Sequence, residues 1–219
     1  MLRLAVLASG RGSNLQAIID AIAGGELDAR IVGVFSDRVS ASALARARGA
    51  GLHAQPVRPR DYADREAHDR ALFDAIEAVQ PDLIVCAGYM RLITDDAVRR
   101  FEGRMINIHP SLLPKYRGLD THARALAAGE AEHGASVHAV VPALDAGPVL
   151  AQAVVDILPG DTAETLANRV LEREHALLIA SLQLIAAGRV RFATEHVELD
   201  GQRLTAPLRL GDEHARLAA

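Results

Sequence analysis

Asn107 and His109 lie two residues apart in the run MINIHP, among the apolar residues Met105, Ile106 and Ile108 and directly before Pro110. In an extended strand, residues i and i+2 project to one face. An amide and an imidazole therefore share one side of a strand at its end. An amide N–H and an imidazolium N–H can converge on one developing oxyanion, an arrangement that suits acyl transfer and needs no metal. A lone histidine in apolar surroundings is ordinarily a hydrogen-bonded core residue, but the amide beside it and the following PSLLPKYRG favour a site. Asp145, in PALDAGPVL, stands on a loop next to Gly147-Pro148. It is the carboxylate that a histidine acid would want as partner, and its plain alternative is an Asx-turn.

A second group of residues sits where the first apolar run ends, in LAVLASGRGSNLQAII. Gly10 and Gly12 permit tight turning, and the free amides of a helix opening at Ser13-Asn14 can bind an anion with the aid of the helix dipole. The competing possibility is an ordinary turn capped by Ser13 or Asn14. Leu15 occupies the third glycine position of a dinucleotide fingerprint, so that pattern is incomplete. Asp37 still ends the second strand, where a nicotinamide enzyme would hold a ribose. In the last long helix, Leu166, Val170, Leu177 and Ser181 trace one stripe with Glu174 inside it. A carboxylate on an apolar stripe requires a partner.

The elements that must position these residues alternate along the chain. Strand-like runs at Leu2–Ala8, Ile31–Phe35, Asp82–Cys86 and Met105–His109 are separated by helical spacings such as Leu15, Ile18, Ile19, Ile22 and Leu72, Ile76, Val79. This predicts an α/β fold with parallel strands and right-handed crossovers. After Gly134 the pattern becomes two strands, ASVHAVV and PVLAQAVVDI, followed by a helix over about Thr162–Ala187. VELDGQRL, with Asp200-Gly201 at its centre, predicts a C-terminal hairpin. The 219 residues are half hydrophobic yet only 3% aromatic, so aliphatic side chains must form the core. One domain over residues 1–210 is expected, with a flexible tail at 211–219. A formal charge of −4 without a basic cluster argues against a nucleic-acid partner. The single cysteine, Cys86, fits a reducing compartment as a buried apolar residue. No run reaches membrane length, and a cytoplasmic location is expected.

Taken together, ASGRGSNLQAII, AGYMRLI, MINIHPSLLPKYRG, EHGASVHAV and LDAGPVLAQ resemble the glycinamide ribonucleotide transformylases, folate-dependent formyltransferases of purine synthesis. The resemblance runs from about Leu2 to Leu204 with its motifs in matching order. It implies a single-domain Rossmann-like formyltransferase fold, with a mostly parallel central sheet flanked by helices. It also implies transfer of the formyl group of 10-formyltetrahydrofolate, as co-substrate, to the amine of 5-phosphoribosylglycinamide. Asn107 and a protonated His109 would stabilise the tetrahedral intermediate, with Asp145 assisting. Gly12, Ser13 and Asn14 would hold the phosphate and Glu174 the ribose. Arg65, Met90, Arg91, Leu92, Ile93, Asn107, Val141, Leu144 and Asp145 would contact the folate. No metal is implied, and a monomer or homodimer is expected.

Asp120 in GLDTH departs from the family pattern, which has histidine there; His122 is retained. A formyltetrahydrofolate deformylase would use the same three residues with water as acceptor. A nicotinamide dehydrogenase would rest on Gly10, Gly12 and Asp37 and leave Asn107 and Asp145 without roles. A non-catalytic nucleotide-binding module would make all three incidental.

Overall fold

Leu2–Leu7 (β1) is apolar apart from Arg3, and its last four residues, Leu4 to Leu7, are buried, the pattern of a parallel strand covered on both faces. The computed structural model describes residues 1–211 and 217–218, and the chain divides into two compact units, Met1–Asn107 and Ile108–Ala219. In the first unit β1 is followed by α1 (Ser13–Ala23), β2 (Ala29–Ser36), α2 (Ser42–Gly49), β3 (Ala54–Pro56), α3 (Arg65–Ala78), β4 (Leu83–Cys86), α4 (Asp95–Arg100) and β5 (Met105–His109). The strands pair in parallel in the order β3-β2-β1-β4-β5. The order steps outward from β1 in both directions, so the strand exits after β1 and β4 are neighbours. Leu15 and Ile18 of α1 and Leu72, Phe73 and Ile76 of α3 are fully buried. Cys86 is buried as well, and burial pushes its thiol up to about 12.

Strand β5 carries the division between the units: its last two residues open the second one. There follow α5 (Thr121–Ala127), β6 (Glu132–Ala139), β7 (Val149–Asp156), α6 (Ala163–Ala186), β8 (Val190–Phe192), β9 (Val197–Leu199), β10 (Gln202–Arg203), β11 (Leu208–Leu210) and β12 (Leu217–Ala218). β6 and β7 are antiparallel, β11 joins β7 in parallel, and β12 joins β11 antiparallel. The tail expected beyond Leu210 falls mostly outside the described residues; within it, Leu217–Ala218 forms β12. Helix α6 starts at a reciprocal cap, in which Thr165 N donates to Thr162 Oγ1 at 3.2 Å and Thr162 N to Thr165 Oγ1 at 2.9 Å. Its stripe of Leu166, Val170, Glu174, Leu177 and Ser181 is buried, as the spacing predicts.

β8, β9 and β10 form a small antiparallel sheet. The expected hairpin is its β9–β10 arm: Asp200 and Gly201 both have left-handed backbones, φ 52 and 77, as a two-residue primed turn requires. The α/β class and the C-terminal hairpin are thus as expected. Among the described residues, no helix is long and apolar enough to cross a membrane.

Candidate active site

His109 ends β5 and is 5% exposed. Both of its ring nitrogens face acceptors. Nε2 lies 3.0 Å from the Tyr116 carbonyl oxygen, and Nδ1 lies 3.5 Å from Asp145 Oδ2. A neutral imidazole has one N–H, so only a protonated ring could donate to both acceptors at once. Asn107, half-buried, precedes it by two residues on the same strand.

Asp145 does not spend its carboxylate on its own turn: Oδ2 accepts the Gly118 amide at 2.9 Å. The Asx-turn alternative is therefore not what this residue makes. Asp145 holds a left-handed φ of 46, a conformation that Asp tolerates better than most residues. Its loop is drawn against the end of β6 by Gly147, where a Cβ would stand 1.9 Å from the Ala139 carbonyl oxygen. Only glycine fits there. Asp145 also lines a cavity of about 380 Å³ with Leu113, Arg117 and Gln152. Val141 is half-buried and Leu144 is 51% exposed.

In the first unit, Gly12 is the residue before α1, with φ 72 and no side chain capping the helix. The capped-turn alternative for Ser13 and Asn14 is thus not adopted, and the first-turn amides have no helical carbonyl to serve. Ala43 N donates to Gly10 O at 3.1 Å, and Arg46 Nε donates to Arg11 O at 2.9 Å, fixing the loop to α2. A Cβ on Gly12 would sit 2.8 Å from the Ala43 Cα and Cβ. Gly12→Ala is therefore expected to lower stability by about 2–4 kcal/mol from backbone strain and overpacking together, measured by denaturant unfolding. Parent-like stability would show that α2 yields without cost. Ser13→Ala leaves this packing intact and is the cleaner probe of anion binding.

Met90 and Leu92 are 63% and 56% exposed, large apolar side chains open to solvent between β4 and α4. Arg91 and Ile93 are half-buried beside them. Arg65 opens α3 with its side chain 47% exposed and Nη2 3.9 Å from Glu66 Oε1. Asp37, the ribose holder of the dehydrogenase alternative, accepts the Ser9 hydroxyl at 2.6 Å and is 8% exposed.

Residues 2–182 match the formyl transferase family profile. The chain belongs to the formyl transferase family. It is 44% identical over 203 residues to the phosphoribosylglycinamide formyltransferase of Escherichia coli, covering 93% of this chain and 96% of that protein. The structure of the phosphoribosylglycinamide formyltransferase from Coxiella burnetii superposes with a TM-score of 0.90 at 48% identity, over 93% of this chain and 96% of that one. A formyltetrahydrofolate deformylase from Pseudomonas syringae is 25% identical with a TM-score of 0.84, and 65% of its chain is covered.

This formyl transferase holds one site-facing residue that sequence reasoning left without a role. His138 Nε2 lies 3.7 Å from Asp145 Oδ1, while Nδ1 lies 2.8 Å from the Ala139 carbonyl oxygen. The available signal was an ionisable residue alone in the apolar strand ASVHAVV. Burial drives the His138 pKa down to about 4, outweighing the Ala139 carbonyl and the Asp145 charge, which both favour protonation. His133 is likewise held near 4, mainly by burial and then by His122, whose Nδ1 is 3.2 Å from His133 Nε2. Asp120, the departure from the family pattern, precedes α5 with a left-handed φ of 57 and no side-chain cap.

These two histidines make stability pH-dependent. Their folded-state pKa values lie below the unfolded value of about 6.5, so the unfolded chain binds more protons on acidification. The stabilising contribution is complete above about pH 6.5 and is lost as the pH falls toward 4. For His138 alone the loss is about 3 kcal/mol. Chemical denaturation at pH 7.5 and pH 4.5 should show this decline, and His133→Gln should remove part of it. A flat profile would contradict the buried neutral rings.

Proposed function

We propose that this formyltransferase transfers the formyl group of 10-formyltetrahydrofolate to the amine of 5-phosphoribosylglycinamide, in purine biosynthesis. The observation that carries the reading is the His109–Asp145 contact at the end of β5, in a chain similar over nearly its whole length to phosphoribosylglycinamide formyltransferases. The amine attacks the formyl carbon, and the carbonyl electron pair moves to oxygen. Asn107 donates to that oxygen, and protonated His109 stabilises the oxyanion. His109 Nε2–H is directed at the Tyr116 carbonyl, and the formyl oxygen would compete with that acceptor for the same donor. Collapse of the intermediate breaks the bond to N10 of the folate, which leaves with a proton delivered with the help of His109. Asp145 holds the charged ring and assists departure of the amine proton through water.

Gly12, Ser13 and Asn14 take the phosphate, Glu174 the ribose hydroxyls, and Arg65, Met90–Ile93, Val141, Leu144 and Asp145 the folate. The uncapped start of α1 supports the first assignment. Glu174, 8% exposed within its apolar stripe, supports the second. Residues 1–210 act as one formyltransferase domain, in the cytoplasm, as a monomer or homodimer, without a metal or nucleic acid.

Glu174→Gln should weaken nucleotide binding by ~1.5–3 kcal/mol, the worth of hydrogen bonds to a charged acceptor, with the fold intact. Calorimetry with 5-phosphoribosylglycinamide measures it; unchanged affinity with a lower melting temperature would make the residue structural. The function itself is tested by initial rates with both substrates varied. Saturation in each, with no rate when either is omitted, is expected. A rate independent of the nucleotide would overturn the proposal.

A further inference from the structure

Segment 87–94, between β4 and α4, has neither helix nor strand geometry. Backbone bonds hold its ends, Ala87 N to Leu7 O at 2.8 Å, Ser9 N to Gly88 O at 3.0 Å and Val98 N to Thr94 O at 3.0 Å, and the stretch between them is outside any ladder. It is tied down at both ends by buried carboxylates. At one end Met90 N donates to Ser9 Oγ at 2.9 Å, and Ser9 Oγ donates onward to Asp37 Oδ1 at 2.6 Å. At the other, Thr94 N donates to Asp69 Oδ2 at 2.7 Å, and the second oxygen of Asp69 faces His68 Nδ1 at 2.9 Å. His68 Nε2 in turn lies 3.0 Å from the Val57 carbonyl oxygen. Ser9, His68 and Asp69 are all 2% exposed or less.

A buried histidine–carboxylate pair is a poor source of net stability, because desolvation offsets its attraction. Both ends nonetheless use buried polar groups to fix single amides of a segment whose own side chains, Met90 and Leu92, stand open to solvent. That combination suits a wall whose position matters more than its packing.

We infer that Ser9 and Asp69 are positioning residues for the folate site, anchoring Met90–Ile93 from behind without touching the ligand. The inference rests on the reading of Met90–Ile93 as the folate-lining segment. Removing either anchor loosens Met90–Ile93 while Gly88 and Thr94 keep their backbone bonds, so ordering the stretch between them becomes a cost of folate binding. The nucleotide site, built on the Gly12–Asn14 turn, is not loosened by the same change.

The test is steady-state kinetics on Asp69→Ala and Ser9→Ala, with Asp69→Asn as the conservative variant. Each alanine variant is expected to raise the KM for 10-formyltetrahydrofolate about tenfold and to leave the nucleotide KM within about twofold. Asp69→Asn retains the anchor, since Oδ1 can accept Thr94 N while Nδ2 donates to a neutral His68; its folate KM should stay near that of the parent. Ser9→Ala keeps the Cβ, so it carries the test if Asp69→Ala does not fold. Parallel rises in both KM values, or an unchanged folate KM in the alanine variants, would overturn the inference. Met90→Ala and Leu92→Ala separate the two levels. If they raise the folate KM and the anchor variants do not, the anchoring role alone fails. If they too leave it unchanged, the folate reading of the segment fails, and the inference with it.

Discussion

Asp145→Asn is expected to lower kcat by about 10²–10⁴-fold, the range that positioned acid–base groups contribute, with little change in nucleotide KM. The substitution isolates charge from shape. Asparagine is among the few side chains that accept the left-handed φ of 46 found here, and its Oδ1 can still accept the Gly118 amide that Asp145 Oδ2 holds at 2.9 Å. The loop therefore keeps its course. What disappears is the negative charge 3.5 Å from His109 Nδ1 and 3.7 Å from His138 Nε2. Without it a positive charge on His109, as the proposed chemistry requires, would lose its counter-charge in a buried setting, where an uncompensated charge is costly. Melting temperature and circular dichroism verify the fold, and steady-state rates give kcat. A parent-like kcat would remove Asp145 from the chemistry.

His109→Asn is expected to cost about 10³-fold in kcat, with the folate and nucleotide still bound. Asparagine places its Nδ2 where the imidazole Nδ1 stood, so it keeps a donor toward Asp145, loses the one that His109 Nε2 offers the Tyr116 carbonyl at 3.0 Å, and cannot carry a proton to the leaving nitrogen. The informative measurement is the double variant. Residues that act as a unit are strongly non-additive, so His109→Asn combined with Asp145→Asn should be little worse than the more damaging single change. Losses that multiply would mean that the two side chains act independently.

The strand bearing Asn107 and His109 was legible because a polar pair at spacing two in an apolar run has few bland explanations, and Pro110 marks its end. Asp145 was legible only as a candidate, since an Asp-x-Gly loop usually caps itself; its bond to Gly118 spans 27 residues and leaves no local trace. The position of His138 beside Asp145 was not legible, because one histidine in a strand of alanines and valines reads as core. Gly12 was read for its turn and for phosphate binding; its packing against Ala43 left no trace in the sequence, being a tertiary contact with α2. Helix α2, SALARARG, and the three-residue strands β3, β8 and β11 went unread for a related reason: elements this short carry too little periodicity and are held by their neighbours. The hairpin at Asp200-Gly201 was read correctly because its turn chemistry is local.

The central claim is that the formyl carbon goes to the amine and not to water. Folate carrying an isotopically labelled formyl carbon, incubated with the protein and 5-phosphoribosylglycinamide, tests it by NMR of the products. The account predicts that the label appears as the formamide of the nucleotide, one equivalent per tetrahydrofolate released, with no release when the nucleotide is omitted. Label recovered as formate, at the same rate with or without the nucleotide, would contradict it and assign the site to hydrolysis.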